Sequence, residues 1–355
     1  MAPHGIASPA PEETADRTDT AIAALARGGA AVLTQEGGGP GFVVAAAQTI
    51  APELIALMLR EARGMTWLAL PDERCRALGL EPIPYRSSTG ERDESIARDF
   101  MVSIEAHEGT TTGISAADRA LTMRVAADPA SVAGDVVSPG HITPIRARDP
   151  QAPQRPGIVE AAVELAALAG FPGGAAMCEL LDEQGEIASG AQVERRAGAL
   201  GLPLVDELDV LDRLLPRRAL VAVHEEGRTL AVGGHSVRAV VFADRFYGAQ
   251  HVALVCGDPA PGDAATVEAL VQDPLLDVFD PRRRNELTAT VERLARMPPA
   301  VLAYVSNVAA LRARRPDADQ EAQREALLAT RRQPYVVAQM LERLGLTPRE
   351  AALHA

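Results

Sequence analysis

The chain alternates between short apolar runs and longer segments whose apolar residues recur with helical spacing. AAVLT (30–34), FVVAAA (42–47) and AAMCELLD (175–182) are short and rich in Ala and Val, which is typical of strands. SAADRALTMRVAA (115–127) and VEAAVELAALAG (159–170) are longer and are predicted to be helices, the second of which ends at Gly170. The alternation predicts an α/β fold with mixed sheets.

The same patterns continue along the rest of the chain. Further strands are predicted at 67–70, 100–106, in successive runs between 219 and 258, and at 300–307. Further helices are predicted at 18–27, 52–63, 190–201, 265–271, 287–297 and about 311–344. GGGPG (37–41) predicts a loop, because its glycines and proline do not fit a regular element.

Length and composition divide the chain into three parts. Its 355 residues correspond to about two domains. Residues 1–17, rich in Pro, Ala and Glu, predict a disordered tail. Residues 18–213 form the first predicted domain and 219–355 the second, with LDVLDRLLPRR (208–218) as the predicted hinge.

Charge and cysteine content narrow the class of protein. The 35 Lys and Arg against 48 Asp and Glu give a net charge of −13, which argues against nucleic-acid and anionic-membrane partners. Three widely separated cysteines show neither a disulfide framework nor metal-site spacing. No apolar run reaches the roughly 18 residues of a membrane span. Since the N-terminus also lacks a signal peptide, we expect a cytoplasmic protein.

Four segments carry the candidate chemistry of the first domain. They are HEGTTTGISAADRALTMR (107–124), SPGHITPIRAR (138–148), RPGIVEAAVELAALAGF (155–171) and MCELLDEQGEIA (177–188). Together they resemble 3,4-dihydroxy-2-butanone 4-phosphate synthase over residues 18–213. The resemblance implies a small phosphorylated substrate, because that family converts ribulose 5-phosphate into formate and a four-carbon phosphate through enediol intermediates, using Mg²⁺.

The resemblance also assigns the candidate site residues. It makes His141 the proton-transfer histidine, Glu179 the essential glutamate and Arg155 a substrate-binding residue. Enolisation needs an acid and a base beside a carbonyl carbon, which His and Glu can supply. A phosphate needs an Arg fork with hydroxyl or amide donors. The candidate donors beside Arg155 are Thr110, Thr111 and Thr112.

Departures from the family's pattern fall on its metal ligands. Gly38 stands where the acidic loop of the family has a metal-binding Glu, and Phe42 where it has a substrate-binding Asp. Ile158 replaces a metal-binding His, and Val159 a substrate-contacting Thr. Mg²⁺ needs hard oxygen ligands. We therefore expect no metal and no other cofactor in this domain, and little or none of the family's own synthase activity.

Structural roles are the alternative for each of these residues. His141 in an SPGH turn is compatible with a structural or exposed histidine, and Glu179 with a partnered core carboxylate. Ser115 and Asp118 have the spacing of a helix cap, so the threonine segment has a structural explanation too. The GGGPG loop either binds phosphate through free amides or is a degenerate loop.

The second domain resembles GTP cyclohydrolase II without its zinc ligands. The similar segments are 230–262, 277–287 and 332–347. Two cysteine ligands of that family correspond to Arg284 and Glu286, and the third falls near Pro274, so no zinc is expected. His235 and His251 are interpreted as structural or exposed strand residues.

Two further features of this half weigh against its family's activity. SNVAALRARRPD (306–317) replaces the nucleotide-recognition loop of the family, so we expect no GTP ring opening. RRRN (282–285) and RARR (312–315) are interpreted as solvated helix faces rather than as an anion site.

Three functions follow from these observations. The first is a repurposed enzyme that enolises or cleaves a sugar phosphate with His141 and Glu179 and without Mg²⁺. The second is a non-catalytic regulatory or scaffold paralogue of the riboflavin enzymes, which hetero-association with an active enzyme would identify. The third, a residual bifunctional riboflavin enzyme, conflicts with the missing ligands. The resemblance implies a homodimer in each case.

Overall fold

The chain divides into two compact units, Met1–Leu211 and Asp212–Ala355. The computed structural model describes residues 11–35, 38–83, 99–148, 157–215, 219–245, 248–307, 309, 313 and 320–353. The predicted hinge at 208–218 contains the division between the units. Both units combine helices with a mixed sheet, so the predicted α/β class is confirmed.

The sheet of the first unit mixes parallel and antiparallel strands. Its strands are β1 Ala30–Thr34, β2 Gly41–Ala46, β3 Arg63–Pro71, β4 Ile104–Ala106, β5 Val136–Ala147, β6 Ala175–Leu180 and β7 Leu204–Asp206. Among the described residues they pair in the order β4-β5-β3-β6-β2-β1-β7. β3 runs parallel to β5 and antiparallel to β6, which puts β3 between the strands that carry His141 and Glu179.

Helices pack on both faces of this sheet. They are α1 Pro11–Ala26, α2 Pro52–Leu57, α3 Asp72–Ala77, α4 Ala116–Ala127, α5 Ile158–Leu168, α6 Ala191–Leu200 and α7 Glu207–Asp212. α2 and α4 share one core with alternate strand residues such as Val43, Leu68 and Cys178. α5 packs along β3, β5 and β6 on the other face.

Small side chains dominate the core, as the composition predicts. Many of the fully buried residues in the two units are alanines. The largest side chain that is fully buried in the described part of the chain is that of Phe242, in the second unit. Aromatic residues make up only 3% of the chain, so close packing comes from Ala, Val and Leu layers that let helices approach the sheet.

Two predictions for the first unit differ from the structure, and a third is confirmed to within one residue. α1 spans Pro11–Ala26 and overlaps the predicted tail, because a proline is readily accommodated in the first turn of a helix. The predicted helix at 52–63 is confirmed as α2 followed by a π turn that ends at Ala62. SPGH is part of a strand, because β5 begins at Val136 and contains His141.

The second unit contains another mixed sheet with its own helices. Its strands are β8 Val221–Val232, β9 His235–Asp244, β10 Gln250–Cys256, β11 Ala264–Val271, β12 Ala300–Val305 and β13 Thr347–Leu353. Within the described part of the chain their order is β13-β11-β12-β10-β9-β8. The helices are α8 Pro274–Phe279, α9 Pro281–Ala295 and α10 Gln320–Arg343.

The helix predicted at 265–271 is wrong. This segment is strand β11, which pairs in parallel with both β12 and β13. Its Ala265, Val267 and Ala269 are buried at alternate positions. Alternating burial between two neighbouring strands is decisive here, because the apolar residues of ATVEALV fit a strand as well as a helix.

Across the described residues, no helix combines the length and the apolar character needed to cross a membrane.

Candidate active site in the first unit

His141 and Glu179 come to the same end of the sheet. Trp67 in β3 is the register partner of Thr143 in β5 and of Met177 in β6. His141 precedes Thr143 by two residues in a parallel strand, and Glu179 follows Met177 by two residues in an antiparallel one. The two residues therefore come to the same end of the sheet, on either side of β3, where the β3–β6 ladder shifts register between Arg63 and Thr66.

The His141 side chain is held by a carboxylate that the sequence did not single out. Its Nδ1 lies 2.8 Å from Oε2 of Glu105 in β4, and its backbone N–H donates to the same oxygen over 3.2 Å. The other oxygen, Oε1, accepts a hydrogen bond of 3.1 Å from the Thr122 hydroxyl. That hydroxyl in turn accepts one of 3.0 Å from the backbone N–H of Ala106. The imidazole is thus tied to helix α4 through Glu105.

Glu179 is partly buried and has one carboxylate oxygen still unsatisfied. Its Oε1 accepts a hydrogen bond from the indole N–H of Trp67. Its Oε2 is buried and has no hydrogen-bond partner among the described residues. An unsatisfied buried carboxylate oxygen is costly, so it marks a position where a polar group of a ligand is favoured.

Asp118 organises the threonine loop before α4. Its carboxylate accepts hydrogen bonds from the Thr111 hydroxyl at 2.8 Å, the Thr111 N–H at 3.2 Å and the Gly113 N–H at 3.0 Å. The bond from the Thr111 hydroxyl, with those from the loop amides, lowers the pKa of Asp118. The Asp118 N–H donates to the Ser115 hydroxyl over 3.0 Å, which confirms the predicted helix cap.

This loop lies directly over the pair formed by Glu105 and His141. Gly113 has a φ of +79°, and a Cβ added there would lie 2.0 Å from the Glu105 carboxylate and 2.6 Å from His141 Nδ1. Only glycine fits the position, for both its conformation and the space. The loop therefore closes over one side of the pair.

The three threonines that are predicted to bind the substrate differ in the hydrogen bonds that their hydroxyls already make. The Thr110 hydroxyl donates to the Ala106 carbonyl over 3.1 Å, and that of Thr111 is held by Asp118. Thr112 is exposed beside them. Arg155 lies outside the described residues, so its place in the site stays a prediction, as does substrate binding by the three threonines.

The chain is similar in sequence to a family of named enzymes. Residues 19–212, more than half of the chain, match the 3,4-dihydroxy-2-butanone 4-phosphate synthase family. The chain belongs to this family. A 3,4-dihydroxy-2-butanone 4-phosphate synthase of Pseudomonas syringae is 36% identical over 273 residues, which cover 75% of this chain and 72% of that protein.

The similarity to synthase relatives extends into the second unit. The riboflavin biosynthesis protein RibBA of Mycolicibacterium gilvum is 35% identical over 301 residues, covering 82% of this chain and 70% of that protein. The crystal structure of RibBX, a two-domain 3,4-dihydroxy-2-butanone 4-phosphate synthase from A. baumannii, matches with a TM-score of 0.65 and 26% identity. This match covers 96% of the present chain and 93% of RibBX. The chain thus resembles riboflavin biosynthesis proteins over both units.

The two positions that the resemblance assigns to Mg²⁺ ligands do not offer suitable ligands here. Gly38 has a φ of +75°, and a Cβ added to it would lie 3.4 Å from the Cα of Gly190. Ile158 is the first residue of α5 and is 9% exposed. Neither side chain carries an oxygen or nitrogen atom, so these residues do not fit Mg²⁺. Nowhere in the described ranges do three or more His, Cys, Asp and Glu side chains form a group that could hold a metal ion.

The three positions that the resemblance assigns to zinc ligands in the second unit lie in helices. Pro274 begins α8, and Arg284 and Glu286 lie in α9, where Glu286 is paired with Arg283 at 3.1 Å. His235 begins β9 and is partly exposed.

His251 instead belongs to a buried polar group. Its Nδ1 accepts a hydrogen bond of 3.0 Å from the Ser306 N–H. Its Nε2 lies 3.2 Å from Asp244, which also pairs with Arg332 at 3.4 Å. The prediction that no cofactor is needed in either unit stays a prediction.

Glu105 and Trp67 are the site residues that the sequence reasoning missed. Glu105 interrupts the apolar run FMVSIEA in the same way as Glu179 interrupts AAMCELLD. A lone acidic residue in an apolar strand therefore indicates a site residue in both segments, but the sequence analysis identified only Glu179. Nothing in the sequence linked Trp67 to Glu179, because 112 residues separate them.

Proposed function

We propose that the first unit catalyses proton transfer on a sugar phosphate of the ribulose 5-phosphate type, and that it does so without a resident divalent cation. His141 is the base, and Glu179 is the acid when its unsatisfied Oε2 carries a proton. The observation that carries the proposal is their convergence at one sheet end, with an unsatisfied carboxylate oxygen on Glu179. Family membership supports the substrate class.

The proposed chemical step is enolisation. A base removes the proton from the carbon beside the carbonyl group, and the electron pair of that C–H bond forms the enediol double bond. An acid delivers a proton to the carbonyl oxygen at the same time, so that little negative charge accumulates. Two proton-transfer groups on either side of β3 suit this step, because a substrate bound over β3 lies within reach of both.

Concerted protonation explains how the reaction proceeds without a metal. In the synthase family Mg²⁺ stabilises the enediolate charge, and Gly38 and Ile158 provide no ligand for it here. When a proton reaches the oxygen as the carbon loses its own, the charge to be stabilised is smaller. Arg155 and Thr112 are the proposed phosphate-binding residues.

The proposal assigns no GTP cyclohydrolase activity to the second unit. Arg284 carries a positive charge where that family has a thiolate, and Glu286 is occupied by Arg283. The proposed assembly is a homodimer.

One observation favours a second function, a non-catalytic paralogue that pairs with an active riboflavin enzyme. The family's metal-binding and substrate-binding positions are changed together, at Gly38, Phe42, Ile158 and Val159. A regulatory protein has no need of those ligands. Co-purification with an active synthase, combined with a lack of turnover by the isolated chain, would favour this alternative.

The test incubates the purified protein with ribulose 5-phosphate in deuterated water, with and without Mg²⁺, and follows both exchange of the carbon-bound proton and formate release. We expect little or no formate, and proton exchange that is independent of Mg²⁺ and falls by about 10²–10⁴-fold in His141→Ala and in Glu179→Gln. His107→Ala and Glu186→Gln are matched controls, because both residues are exposed and lie near the same segments. Turnover that requires Mg²⁺ would refute the metal-free step.

If no formate appears, substrate turnover of any kind should be followed by ¹³C NMR on labelled ribulose 5-phosphate. Isomerisation or solvent-deuterium exchange that both site variants abolish would keep the proton-transfer proposal. Absence of every such change, with unchanged spectra in the presence of protein, would contradict it.

A further inference from the structure

We infer that Glu105 is a positioning residue that fixes the His141 imidazole in its Nδ1–H form and turns Nε2 toward the substrate. The inference rests on the proposed function of His141 as a proton-transfer group. It goes beyond it by naming the residue that sets the tautomer and ring orientation.

The first step is the pairing itself. The Nδ1···Oε2 distance of 2.8 Å is that of a charge-assisted hydrogen bond, and a carboxylate can only accept. The proton therefore sits on Nδ1. Among the described residues Nε2 has no hydrogen-bond partner, so its lone pair stays available for a substrate proton.

The second step is the immobility of the carboxylate. Oε2 of Glu105 accepts hydrogen bonds from both the ring and the backbone N–H of His141, and Oε1 accepts one from the Thr122 hydroxyl. The Thr122 oxygen already accepts from the Ala106 N–H, so its own hydrogen is directed at Glu105. The carboxylate therefore has no free rotation, and the imidazole orientation is set by the backbone of β4.

The third step is the contrast in burial. The Glu105 side chain is 11% exposed, whereas that of His141 is 43% exposed. Gly113 covers the pair so closely that no side chain fits above Glu105. Water is thus kept from the carboxylate while the other edge of the ring is open. An arrangement of this kind, in which a buried carboxylate orients a reactive histidine, is a known way to maintain the required tautomer.

The direct test is the tautomer of His141 in protein labelled with ¹⁵N-histidine. We expect long-range ¹H–¹⁵N spectra to show the Nδ1–H form in the wild type, with the resonance assigned by its loss in His141→Ala. In Glu105→Gln the amide can offer an N–H to Nδ1, so the population should move toward the Nε2–H form. A wild-type ring in the Nε2–H form would overturn the inference, whatever the activity of the protein.

The kinetic test uses the same variants with ribulose 5-phosphate. Glu105→Gln should lower kcat by about 10²–10⁴-fold with little change in KM, because binding groups are untouched while the base is lost. Thr122→Val should give a smaller loss of kcat, because only the orientation of the carboxylate is relaxed. Glu105→Asp should recover part of kcat. Glu105→Gln with wild-type kcat would also overturn the inference.

These outcomes separate the inference from the function on which it rests. If His141→Ala retains full turnover, the proposed role of His141 is wrong, and the tautomer measurement alone decides the role of Glu105. Thermal unfolding of Glu105→Gln within a few degrees of the wild type confirms that any kinetic loss is not a loss of folding.

Discussion

Phe42 in β2 lies directly opposite Glu179 in β6, in the antiparallel ladder that joins the two strands. An apolar ring thus occupies the cross-strand position beside the proposed catalytic carboxylate. The family pattern has an aspartate there, which would place two carboxylates opposite each other. Like charges at directly opposed positions destabilise a sheet.

We therefore predict that Phe42→Asp lowers the free energy of unfolding of the first unit by about 1–3 kcal/mol. Phe42→Leu, which stays apolar, should cost less than about 1.5 kcal/mol. The control is urea unfolding of the same variants in a protein that also carries Glu179→Gln. The loss of unfolding free energy caused by Phe42→Asp should be smaller there, because the opposing charge is gone. A Phe42→Asp protein as stable as the wild type would contradict the repulsion argument.

The second prediction concerns the loop over the Glu105–His141 pair. Gly113 and Gly185 have φ of +79° and +85°, so alanine is strained at both, by about 1–2 kcal/mol. Only at Gly113 does the added Cβ meet other atoms, since nothing lies within 4 Å of the one at Gly185. Gly113→Ala should therefore destabilise more than Gly185→Ala and also abolish turnover. Equal losses of stability in the two variants, measured by thermal unfolding, would show that the loop can move aside.

The third prediction is a pH dependence that originates at Asp118. Its pKa is lowered in the folded chain, chiefly by the Thr111 hydroxyl. The ionised carboxylate therefore stabilises the fold above a pH of about 4, the usual carboxyl pKa, and this stabilisation is lost as the pH falls through the folded-state pKa. Asp118→Asn should be less stable than the wild type at pH 7, with a difference that shrinks on acidification.

The measurement is the free energy of unfolding of both proteins between pH 3 and pH 7. Asp128→Asn is the matched control, because Asp128 is an exposed residue that accepts from the nearby Ala130 N–H over 2.9 Å. A gap between the wild type and Asp118→Asn that stays constant over this range would exclude Asp118 as the origin.

The fourth prediction concerns the buried group around His251 in the second unit. Asp244 lies between the side chains of His251 and Arg332, and all three are buried. Asp244→Asn removes the negative charge while keeping the shape, which should cost the second unit about 3 kcal/mol. Exposed Asp258→Asn should cost nothing measurable. Hydrogen exchange in β9 and β10 distinguishes the two variants, and unchanged protection in Asp244→Asn would contradict the prediction.

Local patterns predicted much of the fold, and non-local pairing decided the rest. β1, β2 and β6 were predictable because continuous Ala- and Val-rich runs suit strands buried on both faces. The 265–271 segment was not, because its Ala, Glu and Leu residues also favour a helix. Its pairing with β12, which lies about thirty residues further along the chain, settles its conformation.

The site followed the same division. His141 and Glu179 were predictable from the resemblance, and the Ser115 cap from its spacing alone. The link between His141 and Glu105 was not, because 36 residues separate them and neither strand pattern specifies the register of β4 with β5. The assignment of the His141 tautomer depends on this contact with Glu105, which forms only in the folded chain.

The bond between Trp67 and Glu179 has a practical consequence. The chain contains a single tryptophan, and its indole N–H is bonded to the proposed catalytic carboxylate, while its ring meets that of Phe100 edge-on at 5.2 Å. Indole emission responds to the polarity and hydrogen bonding around this N–H. The protein thus carries one tryptophan fluorophore, and it is located at the candidate site. Occupancy of that site by any unlabelled compound can be followed as a change in the colour or intensity of this emission.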